Sequence, residues 1–194
     1  MPKSILRANA PNLDREASPA YLTQMTVRPI LVAPDPRLKA VAAEIAKVDG
    51  EIRRLIDDML ETMYEAEGVG LAATQVDVHE RVIVIDTSDV RGSPIVLINP
   101  ELIETSDEMM LGDEGCLSVP EIYDKVPRHA RVRVRARERS GEAREFDAEG
   151  LLSVAVQHEM DHLLGKVFVD YLSPLKRSRI KTRMLKKTRD EARA

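Results

Sequence analysis

The chain is short of the residues that staple or anchor a protein. Among 194 residues there is one cysteine, Cys116, so no internal disulfide framework can form. That fits a reducing compartment, and the cytoplasm is the expected location. No apolar run approaches the roughly 18 residues of a membrane-spanning helix, so no membrane partner is expected. Tryptophan is absent, and two phenylalanines and four tyrosines bring aromatics to only 3%. That is thin material for stacking on nucleic-acid bases. Nine glycines and eleven prolines exclude a collagen-like or mucin-like chain. With 43% hydrophobic and 32% charged residues, disorder along the whole length is excluded too. The length suits about one domain, which can bury roughly 70% of its unfolded surface without staples. Residues 1–24 hold polar punctuation (Asn9, Pro11, Asn12, Ser18, Pro19) and no apolar core of a secretory signal. Asp14 and Glu16 break the acid-free pattern of a transit peptide, so a loosely ordered extension is expected there.

What charge is present is unevenly placed. The net charge is −4, but residues 175–194 carry nine basic and two acidic side chains, a balance of +7 that leaves −11 for the rest. Such a tail suits a polyanionic partner, or is simply a solvated helix end. Upstream, Ile52, Leu55, Ile56, Met59 and Met63 recur at helical spacing behind Asp49, a suitable N-cap, and this helix should stop near Gly68. Short β-rich runs follow at 82–85, at 95–98 (closed by Asn99-Pro100) and at 131–137, where arginines alternate with small apolar residues. Ser140-Gly141 reads as a turn into a return strand near 144–146. A second helix is expected over 148–164, with Leu151, Ala155, His158 and His162 on one stripe and Gly165 as its C′ residue. Ser173-Pro174 then opens a basic terminal helix. The expected fold is α+β, with small antiparallel or mixed sheets packed around a central metal-binding helix.

The densest chemistry lies in His158-Glu159-Met160-Asp161-His162. Positions i and i+4 share a helix face, so both imidazoles can bind one ion, while Glu159 can take a proton from a water that the ion acidifies. A third histidine at the metzincin spacing is missing, because Phe168 stands there. Cys116, in the glycine-bracketed acidic segment Glu114-Gly115-Cys116-Leu117-Ser118, is the alternative third ligand, read as a tight turn that presents a thiolate. One cysteine and two histidines with an open fourth position make a catalytic arrangement, since structural zinc sites are closed by four protein ligands. The segment 68–75, Gly-Val-Gly-Leu-Ala-Ala-Thr-Gln, mimics a dinucleotide fingerprint but follows a helix instead of a strand. Its glycines instead suggest backbone that a ligand approaches closely, with Gln75 offering an amide donor.

Taken in order, GVGLAATQ, EGCLS and HEMDH resemble the three motifs of the peptide deformylase family, bacterial type-one branch. The likeness runs from about Met25 through Leu97-Ile98-Asn99-Pro100-Glu101 and Asp170-Tyr171-Leu172-Ser173-Pro174 to the C-terminus, making Met25 an alternative start. It implies a catalytic domain over 25–174 with 175–194 as the C-terminal helix of the same domain. It also implies Cys116, His158 and His162 as metal ligands and Glu159 as general base and acid. Gln75 and the Leu117 N–H would form an oxyanion hole, and Gly68, Val69 and Gly70 would pair with substrate backbone. Val69, Leu151, Val154 and His158 would line a pocket for the methionine side chain. At Tyr123 the chain departs from an arginine that many members carry. The implied cofactor is one divalent ion, Fe²⁺ first, with Zn²⁺, Ni²⁺ or Co²⁺ in purified samples. The implied partners are nascent formyl-Met polypeptides and, through the basic helix, the ribosome, for a monomeric enzyme. A metallo-endopeptidase, a structural zinc module and a nucleic-acid-binding protein are the rival readings.

Overall fold

Asp49 starts the first helix as its spacing predicts. Its carboxylate accepts from the backbone N–H groups of Glu51 (2.9 Å) and Ile52 (3.1 Å), capping α1 (Gly50–Glu65). All five residues of the apolar stripe are buried. The structure is a computed structural model that describes residues 25–191. The extension expected over residues 1–24 lies outside the described residues. The helix stops a little before Gly68, because Glu67 turns into the left-handed region (φ 55°) and the Gly68 N–H closes back on the Met63 carbonyl.

Two antiparallel sheets follow. The larger runs in the order β1 (Gly70–Ala72), β2 (Val82–Ile85), β3 (Ile95–Thr105), β6 (Arg131–Arg137), β7 (Ala143–Glu149). The smaller is a hairpin of β4 (Met109–Cys116) and β5 (Val119–His129). The run Val82-Ile83-Val84-Ile85 is apolar at every position because both faces are covered. Val82 and Val84 pack in the cluster built on α1, and Ile83 and Ile85 in the cluster built on α2 (Gly150–Leu163). β6 alternates as read, with Val132, Val134 and Ala136 buried and its arginines on the wet side, where Arg135 meets Glu145.

Three expectations need correcting. The strand at 95 does not close at Asn99-Pro100. It continues to Thr105 through register shifts, with Asn99 at φ 51° absorbing the irregularity. Glu114-Gly115-Cys116 is not a turn but the end of β4, and the reversal falls on Leu117-Ser118. β4 has two glycines and two acids, so its strand character comes from pairing along β5 and not from any local pattern. Leu151, placed on the buried stripe of the second helix, is exposed.

Gly165 ends α2 at φ 69°, and a Cβ there would lie 2.4 Å from the Lys39 carbonyl oxygen, so only glycine fits. The basic helix α3 (Pro174–Glu191) lays Ile180 and buried Met184 against Val119, Ile122, Val126, Phe168 and Leu172. Its apolar edge therefore covers β5.

Candidate metal centre

Helix α2 brings His158 and His162 onto one face, their rings edge-to-face with centroids 5.0 Å apart. The end of β4 brings Cys116 to the same corner, with Sγ 3.2 Å from His162 Nε2. One ligand atom from each of the three residues lies within 4.8 Å of the others. Glu114, two residues before Cys116 and on the same side of the strand, accepts from His158 Nδ1–H at 2.7 Å. That bond fixes the tautomer and leaves the Nε2 lone pair free for the corner. Phe168 stacks beside His158 at 6.3 Å between centroids, an apolar wall in the place where the metzincin spacing would put a ligand.

This donor set fits a borderline divalent ion, being one thiol and two imidazoles with no fourth donor grouped with them among the described residues. His129 is engaged with the Ser106 carbonyl, and His79 lies beside Asp77, so neither joins the corner. The buried Glu159 Oε2 finds no hydrogen-bond partner among the described residues, which suits a carboxylate waiting for a ligand or water.

The electrostatics follow from burial. Desolvation pushes the Glu159 carboxyl up to about 7, opposed by His158 and reinforced by Glu114. Burial and the neighbouring His158 hold His162 well below the usual imidazole range, so it is neutral and able to ligate. Burial also works against charge on His158, but Cys116 and Glu114 outweigh it and raise that imidazole, so proton and metal compete for it. Glu114 would likewise be raised by burial, yet His158 and Arg128 hold it below the ordinary carboxylate range.

Arg128 is the centre of a network that the sequence did not announce. Its guanidinium, buried, grips Glu114 through Nε (2.7 Å) and Nη2 (3.0 Å) and reaches Asp161 through Nη1 (2.5 Å). The Tyr171 hydroxyl donates to Asp161 at 3.1 Å, and its ring lies 4.6 Å from the guanidinium carbon. Glu114 and Asp161 sit inside recognised motifs without an assigned task. Arg128 carried no signal beyond a basic residue in an unrecognised strand.

Above the corner opens a cavity of about 380 Å³. Gly68, Val69, Gly70, Gln75, Cys116, Leu117, Leu151, Val154, His158 and Glu159 all line it, so the three motifs meet there. His162 stands behind, buried against the corner. Gly70 approaches Glu159 so closely that a Cβ would fall 2.4 Å from Glu159 Oε1. Gln75 is locked by its own amide. Its Oε1 accepts from Ala72 N–H (2.8 Å), while Nε2 donates to Ser118 Oγ (3.1 Å) and approaches Cys116 Sγ (3.6 Å). A segment that sequence reasoning passed over joins the motifs from outside: Leu31 N–H donates to the Gln75 carbonyl and Ala33 N–H to that of Ser118, both at 2.8 Å.

The sequence model of polypeptide deformylases matches residues 27–178. Peptide deformylase 1 of Ralstonia nicotianae is 59% identical over 169 residues, covering 87% of this chain and all of that protein. Peptide deformylase 1 of Burkholderia multivorans is 60% identical over 166 residues, covering 86% of this chain and 92% of that protein. The crystal structure of a peptide deformylase from Legionella pneumophila superposes with a TM-score of 0.82 at 44% identity, covering 87% of this chain and 99% of that one.

Proposed function

The chain belongs to the peptide deformylase family, metal-dependent enzymes that remove the N-formyl group from the N-terminal methionine of nascent peptides, and from that premise we propose how its own residues divide the work. Cys116, His158 and His162 hold one divalent ion, with Fe²⁺ the first choice and Zn²⁺, Ni²⁺ or Co²⁺ acceptable to the same donors. When bound, the ion supplies Lewis acidity that acidifies water and polarises a carbonyl. Glu159 takes the proton of the attacking water, whose oxygen bonds to the formyl carbon. The Gln75 amide and the Leu117 N–H steady the oxyanion that develops. Glu159 then gives the proton to the amine nitrogen as the C–N bond breaks, yielding formate and a free N-terminus. Gly68, Val69 and Gly70 pair with the substrate backbone, since β1 is an edge strand, while Val69, Leu151, Val154 and His158 receive the methionine side chain.

The observation that carries this reading is the buried Glu159 Oε2, without a hydrogen-bond partner among the described residues, beside a three-donor corner and under glycines that admit an extended chain. Formate release from a formyl-Met peptide, with no cleavage of longer unformylated peptides, tests it; internal cleavage would instead mark an endopeptidase. Within the same assay, Gln75→Ala should lower kcat by about 10²–10³-fold with a smaller change in KM, because an oxyanion donor acts mainly in the transition state. An unchanged kcat would leave Gln75 the lock of its turn and nothing more.

The proposed setting is a monomeric enzyme in the cytoplasm that meets its substrate on the ribosome through α3. Lys176, Arg183 and Lys187 of that helix are engaged with Asp124 and Glu121 of β5. Arg177, Arg179, Lys181 and Lys186 are exposed with no carboxylate partner among the described residues, so they are free for phosphate. Deleting the helix would uncover the residues beneath Met184, so the clean variant replaces those four by alanine. Activity on short formyl peptides should persist, while the log–log salt slope of ribosome co-sedimentation should flatten by about 3. Unaltered co-sedimentation would reduce α3 to a solvated helix.

A further inference from the structure

The β4–β5 hairpin has one wet face. Residues directly opposite in an antiparallel ladder share a face, and the register pairs Gly115 with Tyr123, Asp113 with Lys125, Leu111 with Pro127 and Met109 with His129. The opposite face is spoken for by Val126, Arg128 and Glu114, all buried. On the wet side Tyr123 is 73% exposed, Leu111 63% and Met109 50%, and Pro127 is exposed as well. In a chain with only six phenylalanine and tyrosine rings, one of them lies open to water. The exposed Asp113–Lys125 pair separates Tyr123 from the apolar end of this face, where Leu111, Pro127 and Met109 cluster, and an exposed apolar cluster of this kind marks an interaction surface.

This face is continuous with the cavity. Asp113, Gly115 and Tyr123 form one of its walls, and the Tyr123 ring packs closely over Gly115, where a Cβ would lie 2.4 Å from it. From that wall the face runs six residues along β4, past the charged Asp113–Lys125 pair, to Met109, about 20 Å at ~3.3 Å per residue. A cavity of about 380 Å³ is the size that takes a drug-sized ligand, enough for roughly the first three residues of a peptide. Nascent polypeptides continue past that point. Before folding they expose apolar side chains, for which the exposed cluster of Leu111, Pro127 and Met109 is the matching surface. We infer that the wet face of the β4–β5 hairpin extends the substrate site, holding apolar side chains of the polypeptide beyond its third residue through Leu111, Pro127 and Met109. The inference rests on the cavity being the site of deformylation.

The test compares three substrates of the purified holoenzyme by formate release. They are formyl-Met-Ala-Ser, the same tripeptide extended by six Gly/Ser residues, and the same extended by six residues rich in Leu and Val. The apolar extension should improve kcat/KM about 10-fold over the polar one, through KM, as burial of one or two apolar side chains allows. The double variant Met109→Ser/Leu111→Ser should lose that preference while its rate on the tripeptide and its melting temperature stay unchanged, since both positions are exposed. Equal KM for the two extensions in the unaltered enzyme overturns the inference, as does a double variant that keeps the preference. If size-exclusion chromatography shows a dimer that the double variant dissolves while the preference stays, a second copy covers this face and the inference is likewise overturned. Failure to deformylate even the tripeptide sinks the functional reading itself, and the inference with it.

Discussion

Glu159→Gln is expected to bind its metal as tightly as the unaltered enzyme while losing about 10²–10⁴-fold in turnover or more. The three donors at Cys116, His158 and His162 are untouched, and the amide has nearly the shape of the carboxylate that fits over Gly70. What disappears is the ability to accept a proton. The carboxyl is buried and pushed up to about 7, so it both takes and returns protons near neutrality, and an amide does neither. Metal content by elemental analysis, measured beside formate release, decides the matter. Near-normal turnover with a full complement of metal would remove Glu159 from the reaction.

The second large effect belongs to a residue that touches no substrate. Arg128→Leu should destabilise the fold by about 3–5 kcal/mol, because it leaves the Glu114 and Asp161 carboxylates buried without their shared cation. For a chain of this size that corresponds to a fall in melting temperature of roughly 6–20 °C. The pH dependence gives the claim its sign. In the intact protein Glu114 is held below the ordinary carboxylate range, so its contribution is present above the unfolded pKa and fades as pH falls through the folded one. In the variant, protonation relieves an uncompensated charge. The gap between the two melting temperatures should therefore narrow on acidification from pH 7.5 toward 4.5. A gap that is constant with pH would mean that Arg128 stabilises by packing alone. Metal affinity should fall alongside, since Glu114 orients His158.

These two residues also mark where the sequence was legible and where it was not. Glu159 and the two histidines could be read because helical spacing is local: i and i+4 share a face whatever the rest of the chain does. The α1 stripe, the capping aspartate and Gly165 are legible for the same reason. Arg128 is not, because its role exists only once β5 has paired with β4 and α2 has packed across both. Nor was β4 itself, whose sequence Met-Met-Leu-Gly-Asp-Glu-Gly-Cys has no alternation to betray it. Cys116 does lie beside the two histidines, but a strand end and not the expected loop presents it there. The overrun of β3 past Asn99-Pro100 has a similar lesson. Proline punctuates a strand only where its missing N–H is needed, and a bulge removes that need.

The two short hydrogen bonds from Leu31 and Ala33 make the site indivisible. They fasten the backbone of Gln75 to that of Ser118 through a third segment, while the donors of the corner come from positions as far apart as Cys116 and His162. No fragment shorter than the stretch from Leu31 to His162 can therefore carry the whole constellation. A split of this protein into two pieces would restore activity only by rebuilding the ribbon at Leu31–Ala33 as well as the hairpin and the helix. Formate release from such reassembled halves would report complete complementation, not partial docking.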